Sequence, residues 1–376
     1  MKKLFEFLKI TVIFVLLYYA FKEATLLRDC VIRGVERGLY VIIPSLFFMM
    51  AVSGLAVKSG IINFISPVFD KISKSIFKMN GAVFITFLFS MFAGYPVGAK
   101  MLSQQYKSGL ISQRQLTVYQ CICFGAGPAF IFGCLGTEAG KPILLSNALA
   151  NMITALILSF VLKKEIICEG KKPQADSHIS LTAEDLCGCV IETGKSLFRL
   201  CAMIIFFTAV TGILTQSSIY QNVTQSISNY FGYDTNICNN IVAAVLDVSS
   251  ISEMNIYDSK IIPIISFCIS FGGVCVIMQI KTLLGESFKT AGFIFWRFFT
   301  ALLSMIICSF MLPMFINDGD IVCFSKNTSV PSVSSPVASI LIMFMVYILA
   351  RDTAGLRFEE IDIRKETTHY KKIKKC

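Results

Sequence analysis

An acid set inside an apolar run carries the most chemical consequence in this chain. Asp247 sits in Ile241-Val242-Ala243-Ala244-Val245-Leu246-Asp247-Val248-Ser249-Ser250. An unpaired carboxylate near a bilayer midplane costs roughly 2.5 to 3.5 kcal/mol on insertion scales, so such a residue either marks a site or stops at the interface. Ser249, Ser250 and Glu253 share whichever fate Asp247 has. A second candidate is Gly94-Tyr95-Pro96-Val97-Gly98-Ala99-Lys100, which cannot be continuous helix because Pro96 removes a donor and the glycines loosen the backbone. It reads as a kink with a snorkelling lysine, or as a break whose freed backbone groups line a solute site. On the second reading Tyr95 offers a stacking or hydrogen-bonding surface and Lys100 a counter-charge. A third constellation, Phe124-Gly125-Ala126-Gly127-Pro128-Ala129-Phe130-Ile131-Phe132-Gly133, is echoed by Phe271-Gly272-Gly273. It reads as a broken span or as close helix contact through small residues. Asn147 and Asn151, one turn apart, and Gln279 are polar groups within spans that cross-link helices or face a solute. The candidate solute site therefore comprises Gly94, Tyr95, Pro96, Gly98, Lys100, Gly127, Pro128, Asn151, Asp247, Ser249, Ser250, Gly272, Gly273 and Gln279.

The elements that must hold these residues are membrane helices. The chain has 376 residues, is 55% hydrophobic and 15% charged, and has a mean hydropathy of +0.69. Charge-free apolar runs recur at Gly38 to Val57, Gln115 to Thr137, Pro142 to Leu162, Leu200 to Tyr233, Ile261 to Ile280, Phe298 to Asn317 and Val330 to Ala350. A helix needs about 20 residues to cross the hydrocarbon core. The formal charge of +10 is then a topological signal, because Lys and Arg collect at segment ends and in the tail. No basic run interleaves with aromatics, which excludes a nucleic-acid partner. Fourteen cysteines lie mostly in apolar runs, where they act as small packing residues. Cys121/Cys123 and Cys187/Cys189 are too close, and too far from histidine, for a zinc site. There is no G-x-x-x-x-G-K-[ST] loop and no H-E-x-x-H, and the two histidines, His178 and His369, lie in polar segments. No enzyme activity, no cofactor and no metal is expected.

The chain also reads as written twice. Ala51 to Ile61 resembles Ala209 to Ile219, yet Lys58, Lys71, Lys74 and Lys78 follow the first block, while Leu200 to Ser259 holds no Lys or Arg. Two copies facing opposite sides of a bilayer give that asymmetry. The expected fold is an all-α, polytopic transmembrane helical bundle of two inverted repeats, each containing a re-entrant helical hairpin. The expected divisions are a signal-anchor and amphipathic segment (1–38), a first repeat (39–162), a cytoplasmic linker (163–195), a second repeat (196–316), a final loop and span (317–350) and a basic tail (351–376). The hairpins fall at Asn80 to Ala99 and Asp234 to Tyr257, and Trp296 with Arg297 anchors the inner end of the span from Phe298. Both termini are expected in the cytoplasm of a multi-pass cell-membrane protein. Lys22, Arg28, Arg33 and Arg37 oppose this topology, falling outside on a segment whose apolar spacing suggests an interfacial helix.

At Gly94 to Lys100, Gly127 to Gly133 and Ser270 to Gly273 the chain resembles the sporulation integral membrane protein YlbJ family, within the group carrying nucleoside-recognition Gate domains. The likeness covers roughly Tyr40 to Leu312. It implies two Gate repeats, a distant relation to concentrative nucleoside transporters and to the membrane part of ferrous-iron transporters, and a role in spore cortex formation. Asp247-Val248-Ser249 stands where the family has its second-half acidic motif, with a shorter acid. A shared fold does not name a substrate. Two functions fit: a secondary transporter or facilitator of a small polar solute, with a coupling ion, or a scaffold holding spore-assembly proteins or further copies of itself in the bilayer.

Overall fold

The structure, a computed structural model, describes residues 2–161, 181–254 and 258–316; the expected final span and basic tail lie outside them. The described residues form helices and no strands. Five helical stretches are long and apolar enough to cross a membrane: Ala24–Lys58, Pro128–Val161, Ala183–Thr215, Ser259–Ser287 and Thr290–Met314. A sixth is possible only as a bent pair, Ile61–Phe77 with Gly81–Ala93, which turn through 85°.

The chain opens with α1 (Lys2–Lys22) and α2 (Ala24–Arg37). A π-helical turn at Gly38–Ile42 carries α2 straight into α3 (Ile43–Lys58). A helix is present here as the apolar spacing over 22–38 suggested, and it packs along the long α9 (Ala183–Thr215). Small residues permit the close approach. A Cβ on Gly34 would lie 2.8 Å from Ile205 Cα, and one on Gly212 would lie 2.2 Å from Cys30 Sγ. The start of α9 at Ala183 also places the end of the expected polar linker within its first turns, where Thr182 and Asp185 form a reciprocal cap.

Two series of elements then follow the same order. In the first, α3 leads to the short amphipathic α4 (Ile61–Ile72), then α5 (Gly81–Ala93), a break at Gly94, and α6 (Tyr95–Lys107). Next come α7 (Gln113–Ile122), a non-helical stretch to Gly127, and α8 (Pro128–Val161), which bends at Gly136 where φ is 72°. The run Gln115 to Thr137, whose glycines and proline read as a broken span or as close helix contact, is interrupted between Ile122 and Pro128. In the second series, α9 leads to the amphipathic α10 (Ser218–Phe231), α11 (Thr235–Leu246), a break at Asp247, and a 3-10 helix at Val248–Glu253. Then come α12 (Ile262–Phe271), a break at Gly272, α13 (Gly273–Leu284), a turn at Gly285, and α14 (Thr290–Met311). Each amphipathic helix is hydrogen-bonded to its successor. Gly81 N donates to Asp70 Oδ1 at 2.6 Å, and Tyr220 Oη donates to the Asn239 carbonyl at 2.7 Å.

Candidate solute site between the helix breaks

Each broken helix leaves backbone groups without an intrahelical partner, and these must be met locally. In the first half the two breaks meet one another. A Cβ on Gly94 would sit 3.6 Å from Gly127 N and 3.0 Å from Leu46 Cδ2, and one on Gly98 would sit 2.4 Å from the Cys123 carbonyl oxygen. Gly94 has φ 93° and ψ 172°, open to glycine and strained for any L side chain. In the second half a Cβ on Gly273 would lie 3.0 Å from the Ala244 oxygen and 3.2 Å from Val248 N, beside the break at Asp247. The halves then join: a Cβ on Gly272 would lie 2.7 Å from the Phe124 ring, and the Tyr95 hydroxyl donates to the Ile269 carbonyl. Tyr95, Phe124 and Phe293 form a run of ring contacts, with centroids 4.6 and 5.3 Å apart.

A cavity of about 30 Å³ lies where the breaks face each other. Its walls include Gly94, Tyr95, Pro96 and Gly127 from the first half and Asp247, Ser249 and Gln279 from the second, with Ile42, Leu46, Leu200 and Ile204 closing the sides. That volume holds a water or two; a larger solute requires the walls to part. The remaining candidates stand elsewhere. Gly98, Gly272 and Gly273 pack breaks together, and Pro128 opens α8. Asn151 accepts from Arg297, and the buried Ser250 hydroxyl has no partner among the described residues. Lys100 lies next to Gly54 rather than the cavity, its Nζ buried and without a hydrogen-bond partner among the described residues.

Asp247 is 2% exposed, and its charge is met from a direction the sequence reading missed. Arg37 reaches across with NH1 3.4 Å from Asp247 Oδ2 and NH2 2.8 Å from Glu253 Oε2. Its Nε donates to Glu253 Oε1 at 3.1 Å. Ser249 donates to Asp247 through its hydroxyl at 2.7 Å and its backbone N–H at 3.1 Å. The Thr208 hydroxyl stands 3.5 Å from the same carboxylate. The only sequence sign of this partner was that Arg37 lies on the wrong side in a positive-inside accounting. Arg297 is a second correction. It is 0% exposed rather than an interfacial anchor, with its guanidinium 4.3 Å over the Phe124 ring.

Residues 39–162, from the junction of α2 and α3 through α8, match the Gate family described as nucleoside recognition. About a third of the chain is thus similar to the Gate family. The chain is 22% identical over 314 residues to the sporulation integral membrane protein YlbJ of Bacillus subtilis (strain 168), covering 74% of this chain and 77% of that protein. The resemblance drawn from the motif residues therefore extends along most of the chain. No solved structure matches it.

Proposed function

We propose that this is a cell-membrane protein of sporulation whose two series of helices are inverted Gate repeats, and that a small polar solute passes through the cavity between their breaks. The observation carrying this reading is that Gly94, Tyr95, Pro96 and Gly127 share one cavity with Asp247, Ser249 and Gln279. Secondary transporters place substrates where discontinuous helices of two repeats meet. Inversion is supported by α8 and α14. Thr154-Ala155-Leu156 and Thr300-Ala301-Leu302 share a sequence, and the Thr154 and Thr300 hydroxyls lie 2.9 Å apart. Contact between matching positions is what a two-fold axis produces. Ser146, eight residues before Thr154, lies against Cys308, eight residues after Thr300. Helices in such register run in opposite senses, in keeping with an axis in the membrane plane. Both termini are read as cytoplasmic from the collection of Lys and Arg at segment ends and in the tail.

In this reading Tyr95 and Gln279 offer hydrogen bonds to the solute. Asp247 is not a free coupling acid here: Arg37 and Ser249 hold it, so a solute or cation must displace Arg37 toward Glu253. Solute uptake into proteoliposomes tests this by comparing wild type with Asp247→Asn and Tyr95→Ala. Reduced flux in both variants is expected; equal flux in all three, or none, refutes transport. The small cavity and the satisfied Asp247 favour one other reading, a scaffold that uses the Gate fold to hold spore-assembly proteins. That reading predicts normal partner assembly in both variants.

A further inference from the structure

Arg297 is among the largest fully buried side chains, and no carboxylate lies within ion-pair reach of it among the described residues. Its surroundings are oxygens. NH1 donates to the Phe124 carbonyl at 3.3 Å and to Asn151 Oδ1 at 2.7 Å. NH2 donates to the Ser270 carbonyl and to Ser270 Oγ at 3.1 Å, while the Phe124 ring covers its face. The two carbonyls belong to the two equivalent breaks: Phe124 follows the end of α7, and Ser270 lies in the last turn of α12. Two carbonyls at half-helix C-terminal ends, an amide oxygen, a hydroxyl and a π face are the groups with which a broken-helix transporter surrounds a monovalent cation. Residues 151 and 297 also occupy matching places in the repeated Thr-Ala-Leu register, three before each threonine. One repeat thus supplies the amide and the other the cation.

We propose that Arg297 is a built-in cation: its guanidinium fills the oxygen cage that the two breaks would otherwise present to a mobile monovalent ion. The chain then operates without sodium at this position, and the charge locks the halves together across both breaks. The consequence for coupling rests on the transport reading; the filled cage does not. Arginine suits this task better than lysine, because a planar fork reaches both carbonyls while an ammonium is a single point.

The test is thermal unfolding of the purified full chain in lipid nanodiscs, with sodium chloride against choline chloride at equal ionic strength. Wild type is expected to unfold at the same temperature in both. Arg297→Ala is expected to unfold several degrees lower and to recover in millimolar methylguanidinium or in sodium, which wild type does not need. Arg297→Lys is expected to fall between the two and to stay indifferent to sodium. A sodium-dependent rise in wild type or in Arg297→Lys overturns the proposal. So does a folded Arg297→Ala that responds to neither cation. Should Arg297→Ala not fold, the sodium arms of the other two proteins decide. No flux is measured, so a failure of the transport reading leaves this result standing.

Discussion

Replacing Arg37 by Met tests the electrostatics of the cavity wall. The substitution keeps most of the side-chain volume but strands Asp247, which is 2% exposed and then holds only Ser249 and Thr208. Removing one partner of a buried ion pair costs about 3 to 5 kcal/mol, because the other charge remains desolvated. Asp247→Asn is milder. Arg37 keeps both contacts to the exposed Glu253, so the loss is that of charged hydrogen bonds, about 1.5 to 3 kcal/mol. The double variant Arg37→Met with Asp247→Leu leaves neither charge behind and lies close to wild type, as apolar replacement of a buried pair often does. At about 2 to 4 °C per kcal/mol for a chain of some hundreds of residues, Arg37→Met lowers the unfolding midpoint by roughly 6 to 20 °C. Differential scanning fluorimetry in one detergent reads all three variants. If Arg37→Met falls no further than an exposed control such as Lys71→Met, or if the double variant is worse than Arg37→Met, the pairing does not exist.

Two further outcomes follow from the packing of the first hairpin. Gly98→Ala brings a Cβ within 2.4 Å of the Cys123 carbonyl oxygen, so the hairpin and the break must separate, with a loss of about 1 to 3 kcal/mol in the same assay and reduced flux. Lys100→Met removes a buried ammonium that lacks a partner among the described residues, so stability stays level or rises by about 1 kcal/mol. A fall in flux without a fall in the midpoint then places Lys100 in function, since stability and activity trade against each other at working residues.

The legible part of this fold was its punctuation. Gly94 and Gly272 are breaks because glycine takes a positive φ without strain, and Gly127 precedes Pro128, which lacks a donor and opens α8; the sequence marks such positions locally. Asp247 was legible for a different reason, since a charge amid valines and leucines needs an explanation wherever it lies. The partners were not legible. Arg37 and Arg297 each flank a charge-free apolar run in the sequence, beginning at Gly38 and at Phe298, where an arginine usually snorkels to water, and only the fold shows that each points into protein. The continuity of α2 into α3 was hidden likewise: four basic residues suggested a surface, while the stripe of Cys30, Gly34 and Gly38 that packs on α9 reads as a spacing of small residues. The Thr154 and Thr300 repeat lay in plain sequence, too short to notice until the two hydroxyls met.

The central claim is that the two halves face opposite ways across the bilayer, and site-directed cysteine labelling in inverted and right-side-out vesicles tests it most directly. In a cysteine-free background, Ser75→Cys and Ser218→Cys are suitable because both serines are exposed, one just beyond α4 and one at the start of α10. Labelling of position 75 by an impermeant maleimide only from the cytoplasmic side, and of position 218 only from the outside, is the predicted result. Modification of both from one side contradicts the account.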